Sequence, residues 1–221
     1  MTGGRKRDGR MRGRDERSKR VPKLGHYIIV TDAVGTERHY FEGLRRSLPP
    51  EVAGKLVLKV YSGVEYFRLV RYCLEEAAKV PQYAEPWIVF DRDEVPQFDE
   101  IIEEAERRGI NVAWSNPCFE VWLASYFDSI PSQYESTACV KAFEKLFERH
   151  VGRAYHKGDL SVYETLCAKG DEGEAFARAQ AKREAWERDA HRPSEMAPCT
   201  KVDILVSEIR SKAEFGKGGA V

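Results

Sequence analysis

Short apolar segments alternate with segments of helical periodicity through the first half of this sequence, and this alternation constrains the fold more than any other feature. The first apolar segment, residues 26–31, is rich in β-branched side chains and almost continuously apolar, as is typical of a strand buried on both faces. Strands that alternate with helices form right-handed βαβ crossovers. We therefore predict an α/β fold in which a parallel four-stranded sheet carries helices on both faces. The predicted strands are residues 26–31, 55–61, 86–90 and 110–114, and the predicted helices are residues 37–48, 64–79, 98–108 and 118–127.

The sequence changes character after residue 128. Three later segments have helical spacing of apolar residues, at 137–151, 172–189 and 200–213, and no segment there has the pattern of a strand. The predicted organisation is an α/β core at residues 25–128, a C-terminal helical extension at residues 129–214 and a flexible tail at residues 215–221.

The N-terminal residues 1–24 are strongly basic. They hold ten Lys and Arg against three acidic residues, whereas the whole chain of 221 residues has a formal net charge of zero. The segment has no apolar periodicity, so we expect a disordered arm in the absence of a ligand. Clustered cations release counterions from a phosphate backbone, which favours a nucleic acid partner, although a solubilising tail has the same composition. The candidate contacts in the arm are Arg5, Lys6, Arg7, Arg10 and Arg12.

Composition also bears on the cellular compartment. No apolar run approaches the roughly 20 residues that a membrane span needs, so no membrane association is expected. The five cysteines are scattered and form no CxxC pair, which disfavours both a zinc site and a disulfide framework. Reduced thiols of this kind are typical of the cytoplasm.

Acidic side chains follow two of the predicted strands. Asp32 comes directly after the first strand, with Glu37 at the start of the next helix, and Asp91 and Asp93 follow the third strand. Ligands of parallel sheets bind outside the carboxyl ends of the strands, so these carboxylates are expected to converge if the two strands are neighbours. Converging carboxylates repel one another unless a hard cation neutralises them, which predicts a Mg²⁺ or Mn²⁺ site.

A simpler reading exists for each of these residues. An Asp after a strand often caps the next helix, and a DxD pair is a weak signal by itself. Thr36 and Asn116 are predicted to cap the helices that follow them. Glu120 either belongs to the capping of its helix or faces the same edge of the sheet as the acids, where it would bind or orient a ligand.

Three sequence blocks resemble the RloB-like family. Residues 28–41 (IIVTDAVGTERHYF) are similar to its opening pattern, an apolar strand followed by CEGxxTExxYF. Residues 87–94 (WIVFDRDE) resemble its strand plus DRD, and residues 115–123 (SNPCFEVWL) resemble its SNPxFExWL block. A weaker similarity includes Tyr155 and Lys157. The resemblance runs from the arm into the last predicted helix, in constant order.

The RloB-like family is regarded as Toprim-related, with a Rossmann-like, metal-dependent core that also occurs in primases, topoisomerases and OLD-type nucleases. The resemblance implies a Mg²⁺- or Mn²⁺-dependent nuclease of anti-phage defence that cuts RNA such as tRNA more readily than DNA. A partner protein such as an ATPase is also implied. It implies catalytic roles for Asp32, Glu37, Glu120 and Lys157, metal binding by Asp91, Asp93, Glu37 and Asp32, and nucleic acid contact by Arg92.

Two residues depart from the family pattern. Asp32 stands where the family has Glu, and Ala33 stands where it has Gly. A catalytic group displaced by about 1 Å can cost on the order of 100-fold in rate. An alternative is therefore a weakened module that binds nucleic acid or a partner protein in a defence complex. A receiver domain of the response-regulator kind also places acids at strand ends, but this sequence has no acidic pair directly after the first strand.

Overall fold

The computed structural model describes residues 25–80, 84–93, 95–129 and 135–217, with side chains through residue 214. The predicted basic arm, with its five candidate nucleic acid contacts, lies outside the described residues. Residues 215–217 of the predicted tail continue the last helix, and the remainder of that tail is likewise outside the described part.

The sheet has five strands in the order β2-β1-β3-β4-β5. The first four strands are parallel, and β5 pairs antiparallel with the end of β4. The α/β class with a mostly parallel sheet is confirmed. The prediction of four strands missed β5, because a strand of two residues has no side-chain alternation to detect. The strands are β1 (His26–Thr31), β2 (Leu56–Val60), β3 (Ala84–Asp91), β4 (Asn111–Asn116) and β5 (Cys199–Thr200).

Nine α-helices lie within the described residues. Two of them, the short α2 and α7, were not predicted, and α5 begins two residues later than expected. The helices are α1 (Thr36–Ser47), α2 (Pro50–Ala53), α3 (Tyr66–Ala78), α4 (Phe98–Arg107), α5 (Glu120–Ser125), α6 (Ser136–Val151), α7 (Val162–Lys169), α8 (Glu172–Arg188) and α9 (Val202–Lys217).

Helices cover both faces of the sheet, as the continuous apolar strands predict. Along β1, Tyr27 and Ile29 point into one core, and Ile28 and Val30 point into the other. The first core is closed by side chains of α1, α2 and all of α5–α9, and the second by α3 and α4. The helices of the C-terminal extension thus share one hydrophobic core with α1 and the sheet.

The order of the strands creates a crevice at one edge of the sheet. After β1 the chain crosses to β2 on one side, and it then returns over the sheet to β3 on the other side. The two crossovers leave in opposite directions, so a switch point lies outside the carboxyl ends of β1 and β3. Asp32 follows β1 and Asp91 ends β3, so both residues lie at this crevice.

Candidate functional site

Carboxylates from three elements lie near one another at the switch point. Glu37 lies in the first turn of α1, Asp91 is the last residue of β3, and Glu120 is the first residue of α5. The carboxyl groups of Glu37 and Asp91 lie close enough to affect each other's pKa. The backbone N–H of Phe119 donates to Asp91 Oδ2 at 2.9 Å. Asp91 Oδ1 is buried and has no hydrogen-bond partner.

The protonation of these groups follows from their burial. Burial raises the pKa of Asp91 well above its usual range, and the charges of Glu37 and Glu120 raise it further. Burial also raises the pKa of Glu37 from 4.5 to about 7, with smaller contributions from the charges of Glu120 and Asp32. Both pKa values are raised, and two neighbouring carboxyl groups share a proton more easily than they carry two charges, so the Glu37–Asp91 pair favours a shared proton.

Asp32 lies beside this pair and has a partner that the sequence did not reveal. Burial raises the pKa of Asp32, and a hydrogen bond from the hydroxyl of Tyr66 opposes that rise. Tyr66 is the first residue of α3, and its ring packs against Phe90 with centroids 5.7 Å apart. A Tyr at the start of an amphipathic helix is normally interpreted as a core residue. The sequence around Tyr66 therefore gives no sign that its hydroxyl contacts an acid.

The C-terminal extension contributes two side chains to the site. The hydroxyl of Tyr155 lies 3.2 Å from Glu120 Oε1, and Lys157 Nζ lies 3.8 Å from the same oxygen. Partial burial lowers the pKa of Lys157, but the negative charges around it, Glu120 foremost, outweigh burial and raise it overall. The ammonium group of Lys157 therefore stays charged beside the acids.

The second acid of the DxD pair points elsewhere. Asp93 is exposed, its backbone has a positive φ of 26°, and its Oδ1 accepts a hydrogen bond of 2.6 Å from the hydroxyl of Ser136. The backbone N–H groups of Arg92 and Asp93 donate to the carbonyls of Ser115 and Pro117. These bonds fix the turn after β3 that carries Asp91 and Asp93. The Nε of Arg92 is buried and has no partner.

Two predicted helix caps were wrong. Thr36 lies inside α1 and makes no cap bond; its hydroxyl lies 2.8 Å from that of Tyr155. Asn116 ends β4, and its Nδ2 donates to the carbonyls of Pro193 and Ser194 at 2.9 and 3.1 Å. Because α5 begins only at Glu120, Asn116 is too far from the helix to cap it, and it instead anchors the segment before β5.

The described acids do not form a complete set of protein ligands for a metal ion. Across residues 25–80, 84–93, 95–129 and 135–214, no three His, Cys, Asp or Glu side chains converge closely enough to hold an ion together. Mg²⁺ is usually bound through one or two carboxylates, with waters and substrate phosphates as the other ligands. The Glu37–Asp91 pair, with its unpartnered buried oxygen, fits that mode of binding.

The helices of the described part are all too short or too polar to cross a membrane.

A comparison with known protein families agrees with the resemblance that the sequence motifs indicated. The sequence model of the family described as RloB-like protein matches residues 27–209, from the second residue of β1 into α9. A search of curated proteins found no match, and a search of solved structures found none. The match spans the elements that carry every described site residue, and the chain belongs to the RloB-like protein family.

Proposed function

We propose that this protein is a nuclease that uses Mg²⁺, or Mn²⁺ in its place, to hydrolyse phosphodiester bonds. The observation that carries the proposal is the contact between the carboxyl groups of Glu37 and Asp91 at the switch point, beside the buried Glu120. Buried acids in contact destabilise a fold, and proteins retain such clusters chiefly where a ligand or a reaction uses them.

Glu37 and Asp91 are the proposed metal ligands. Their shared proton occupies the position that a cation would take, and Asp91 Oδ1 has no competing partner. Asp32 and Asp93 are proposed to contribute from the two strand ends, with Asp93 leaving its bond to Ser136. A bound Mg²⁺ would neutralise charge on the phosphate oxygens and lower the pKa of a coordinated water.

The remaining side chains supply proton transfer and substrate binding. In hydrolysis a water oxygen bonds to phosphorus, the bond from phosphorus to the leaving oxygen breaks, and the water proton passes to a base. We assign Glu120 and Asp32 as the carboxylates that accept this proton, because both border the Glu37–Asp91 pair. Lys157, whose ammonium is exposed at the same place, is assigned to a phosphate oxygen of the substrate.

The wider role rests on family resemblance and charge. We propose a Toprim-like core in a cytoplasmic anti-phage defence protein, acting on RNA such as tRNA in preference to DNA, with a partner such as an ATPase. Arg92 and the basic arm are the proposed contacts to the nucleic acid backbone, since arginine binds phosphate through a fixed fork of donors. The assigned arm residues are Arg5, Lys6, Arg7, Arg10 and Arg12.

A cleavage assay with matched variants tests the proposal. The purified protein is incubated with labelled tRNA, single-stranded RNA and plasmid DNA, in Mg²⁺, in Mn²⁺ and in EDTA, beside Asp91→Asn and Asp128→Asn. Asp128 is an exposed acid that follows the C-terminal end of α5 and is not among the assigned site residues, so it serves as the control. We expect metal-dependent cleavage that Asp91→Asn abolishes and Asp128→Asn retains. No cleavage of any substrate, or equal cleavage by both variants, refutes the nuclease.

A second candidate is a weakened module of the same fold that binds nucleic acid or a partner protein without cutting. It is favoured by Asp32, whose carboxylate is one methylene shorter than the family Glu and is engaged by Tyr66. Nucleic acid binding that is insensitive to Asp91→Asn and lost at high salt, together with no cleavage, supports this candidate over the nuclease.

A further inference from the structure

The ring of Tyr155 is held rigidly against the acidic cluster. Tyr155 is 5% exposed and lies in the connection between α6 and α7. Its ring packs edge-on to Phe143, with centroids 4.7 Å apart, and against Phe147 at 5.5 Å. Aromatic packing of this kind fixes the direction of the phenol oxygen, so its hydrogen bonds are set by the fold rather than by a mobile side chain.

The hydroxyl of Tyr155 joins two segments that carry site acids. It lies 3.2 Å from Glu120 Oε1 and 2.8 Å from Thr36 Oγ1. An ionised carboxylate only accepts, so Tyr155 donates to Glu120, and the hydroxyl of Thr36 donates in turn to Tyr155. Burial, reinforced by the charge of Glu120, raises the pKa of Tyr155, which keeps its hydroxyl a donor. Thr36 directly precedes Glu37, so the relay runs from α1 to α5.

Both groups from the extension act on one oxygen of Glu120. Tyr155 and Lys157 both contact Oε1 of Glu120. Among the described residues, no side chain or backbone group donates a hydrogen bond to Oε2 of Glu120. Holding one carboxylate oxygen by a hydrogen bond and a cation fixes the plane of the carboxylate. The other oxygen is then left to accept a proton from water, which is the role assigned to Glu120 above.

We propose that Tyr155 is a positioning residue. Its hydroxyl, held by the hydrogen bond from Thr36, orients Glu120 so that this carboxylate can accept a proton. This inference rests on the proposed nuclease function and deepens it, because it makes the C-terminal extension part of the reaction site. Partners that orient a catalytic or metal-binding side chain typically matter about 10- to 100-fold in activity or in metal affinity.

Tyr126 provides a matched control within the same chain. It is 1% exposed, and its hydroxyl also bonds one hydroxyl and one carboxylate, those of Tyr40 and Glu172, each at 2.9 Å. Tyr155→Phe and Tyr126→Phe therefore remove the same atom from similar surroundings, and only the former touches the acidic cluster. Thr36→Val and Thr36→Ser form a second pair, which removes or retains the donor of the relay.

The experiment measures kcat and KM on the cleaved substrate and the thermal unfolding midpoint of each variant. We expect similar losses of thermal stability in the two Phe variants, and a fall in kcat of about 10-fold or more, with KM nearly unchanged, in Tyr155→Phe alone. Thr36→Val should lower kcat in the same way, and Thr36→Ser should restore it.

Several results would overturn the inference. If the wild type cuts and Tyr155→Phe keeps the kcat of Tyr126→Phe, the proposed nuclease stands and the positioning role fails. If Tyr155→Phe does not fold, the Thr36 variants decide. Equal kcat values for Thr36→Val and Thr36→Ser then refute the positioning role and leave the proposed nuclease standing. If the wild type cuts nothing, the nuclease fails, and the positioning role fails with it, because no reaction remains in which Glu120 accepts a proton.

Discussion

Replacing Asp91 by Asn should make the metal-free protein more stable at alkaline pH. The amide has the shape of the carboxyl group, its oxygen can accept from the N–H of Phe119, and its NH₂ can donate to Glu37. The substitution removes one buried charge from a pair that otherwise has to ionise in contact. We therefore expect a gain in the free energy of unfolding from a change that destroys the proposed metal site.

The size of the effect follows from Glu37. Its pKa rises from 4.5 to about 7 in the folded protein, and each pKa unit is worth about 1.4 kcal/mol. A folded-state pKa above the unfolded value stabilises the protein fully below the unfolded value, and that contribution is lost as the pH rises through the folded value. The wild type should therefore lose on the order of 3 kcal/mol through Glu37 between pH 4.5 and pH 8. Burial raises the pKa of Asp91 as well, so its ionisation adds a loss of similar order, and Asp91→Asn should escape that second loss.

The assay is thermal and urea unfolding in EDTA at pH 5 and pH 8. For a chain of this length a gain of about 2–3 kcal/mol raises the midpoint by about 4–12 °C. Asp91→Asn should exceed the wild type by that amount at pH 8 and by little at pH 5, where the pair holds its proton. Asp93→Asn is the matched control, since Asp93 is exposed in the same turn, and it should change stability by less than about 0.5 kcal/mol. A lower midpoint for Asp91→Asn at pH 8, or an equal gain in the control, would refute the reasoning.

Three further measurements test other parts of the structure. Mn²⁺ at about 100 times its dissociation constant should stabilise the wild type by about 2.7 kcal/mol at pH 8 and leave Asp91→Asn unchanged, as read by calorimetry; stabilisation of both would place the ion elsewhere. Lys157→Gln should weaken substrate binding, seen as a higher KM, without lowering the unfolding midpoint, because the side chain is 66% exposed; an unchanged KM would remove Lys157 from the substrate site. Asp203→Ala should lower the free energy of unfolding in urea by about 3–5 kcal/mol, because it leaves the buried Arg183 without its two hydrogen bonds to Asp203. Glu187 contacts the same Arg183 from an exposed position, and Glu187→Ala should lower that free energy by less than about 0.5 kcal/mol. Equal costs for these two variants would contradict a buried ion pair.

Much of the α/β core was predictable because its signals are local. The apolar continuity of β1 and β3 and the helical stripe of α3 depend on neighbouring residues along the chain, so they predict buried strands and an amphipathic helix without tertiary information. The short α7 and the two-residue β5 give no such signal, because their conformation depends on the elements against which they pack.

The candidate site divides in the same way. The sequence alone determined that Asp32 and Asp91 follow apolar strands, and hence that both lie at the carboxyl edge of a sheet. Only the tertiary structure decided that β1 and β3 are neighbours, so that Glu37 contacts Asp91. The positive φ of Asp93 and its bond to Ser136 are likewise properties of the folded turn.

Tertiary structure alone also decided the surroundings of Glu120. Tyr155 is 35 residues away in sequence and Thr36 is 119 residues from Tyr155, yet the three side chains form one hydrogen-bonded relay. Periodicity and spacing report which face of an element is buried, but they do not report which distant element packs on that face. The sequence therefore determined the kinds of groups that this protein carries at the ends of its strands, and packing of the C-terminal extension on the sheet decided which of those groups meet.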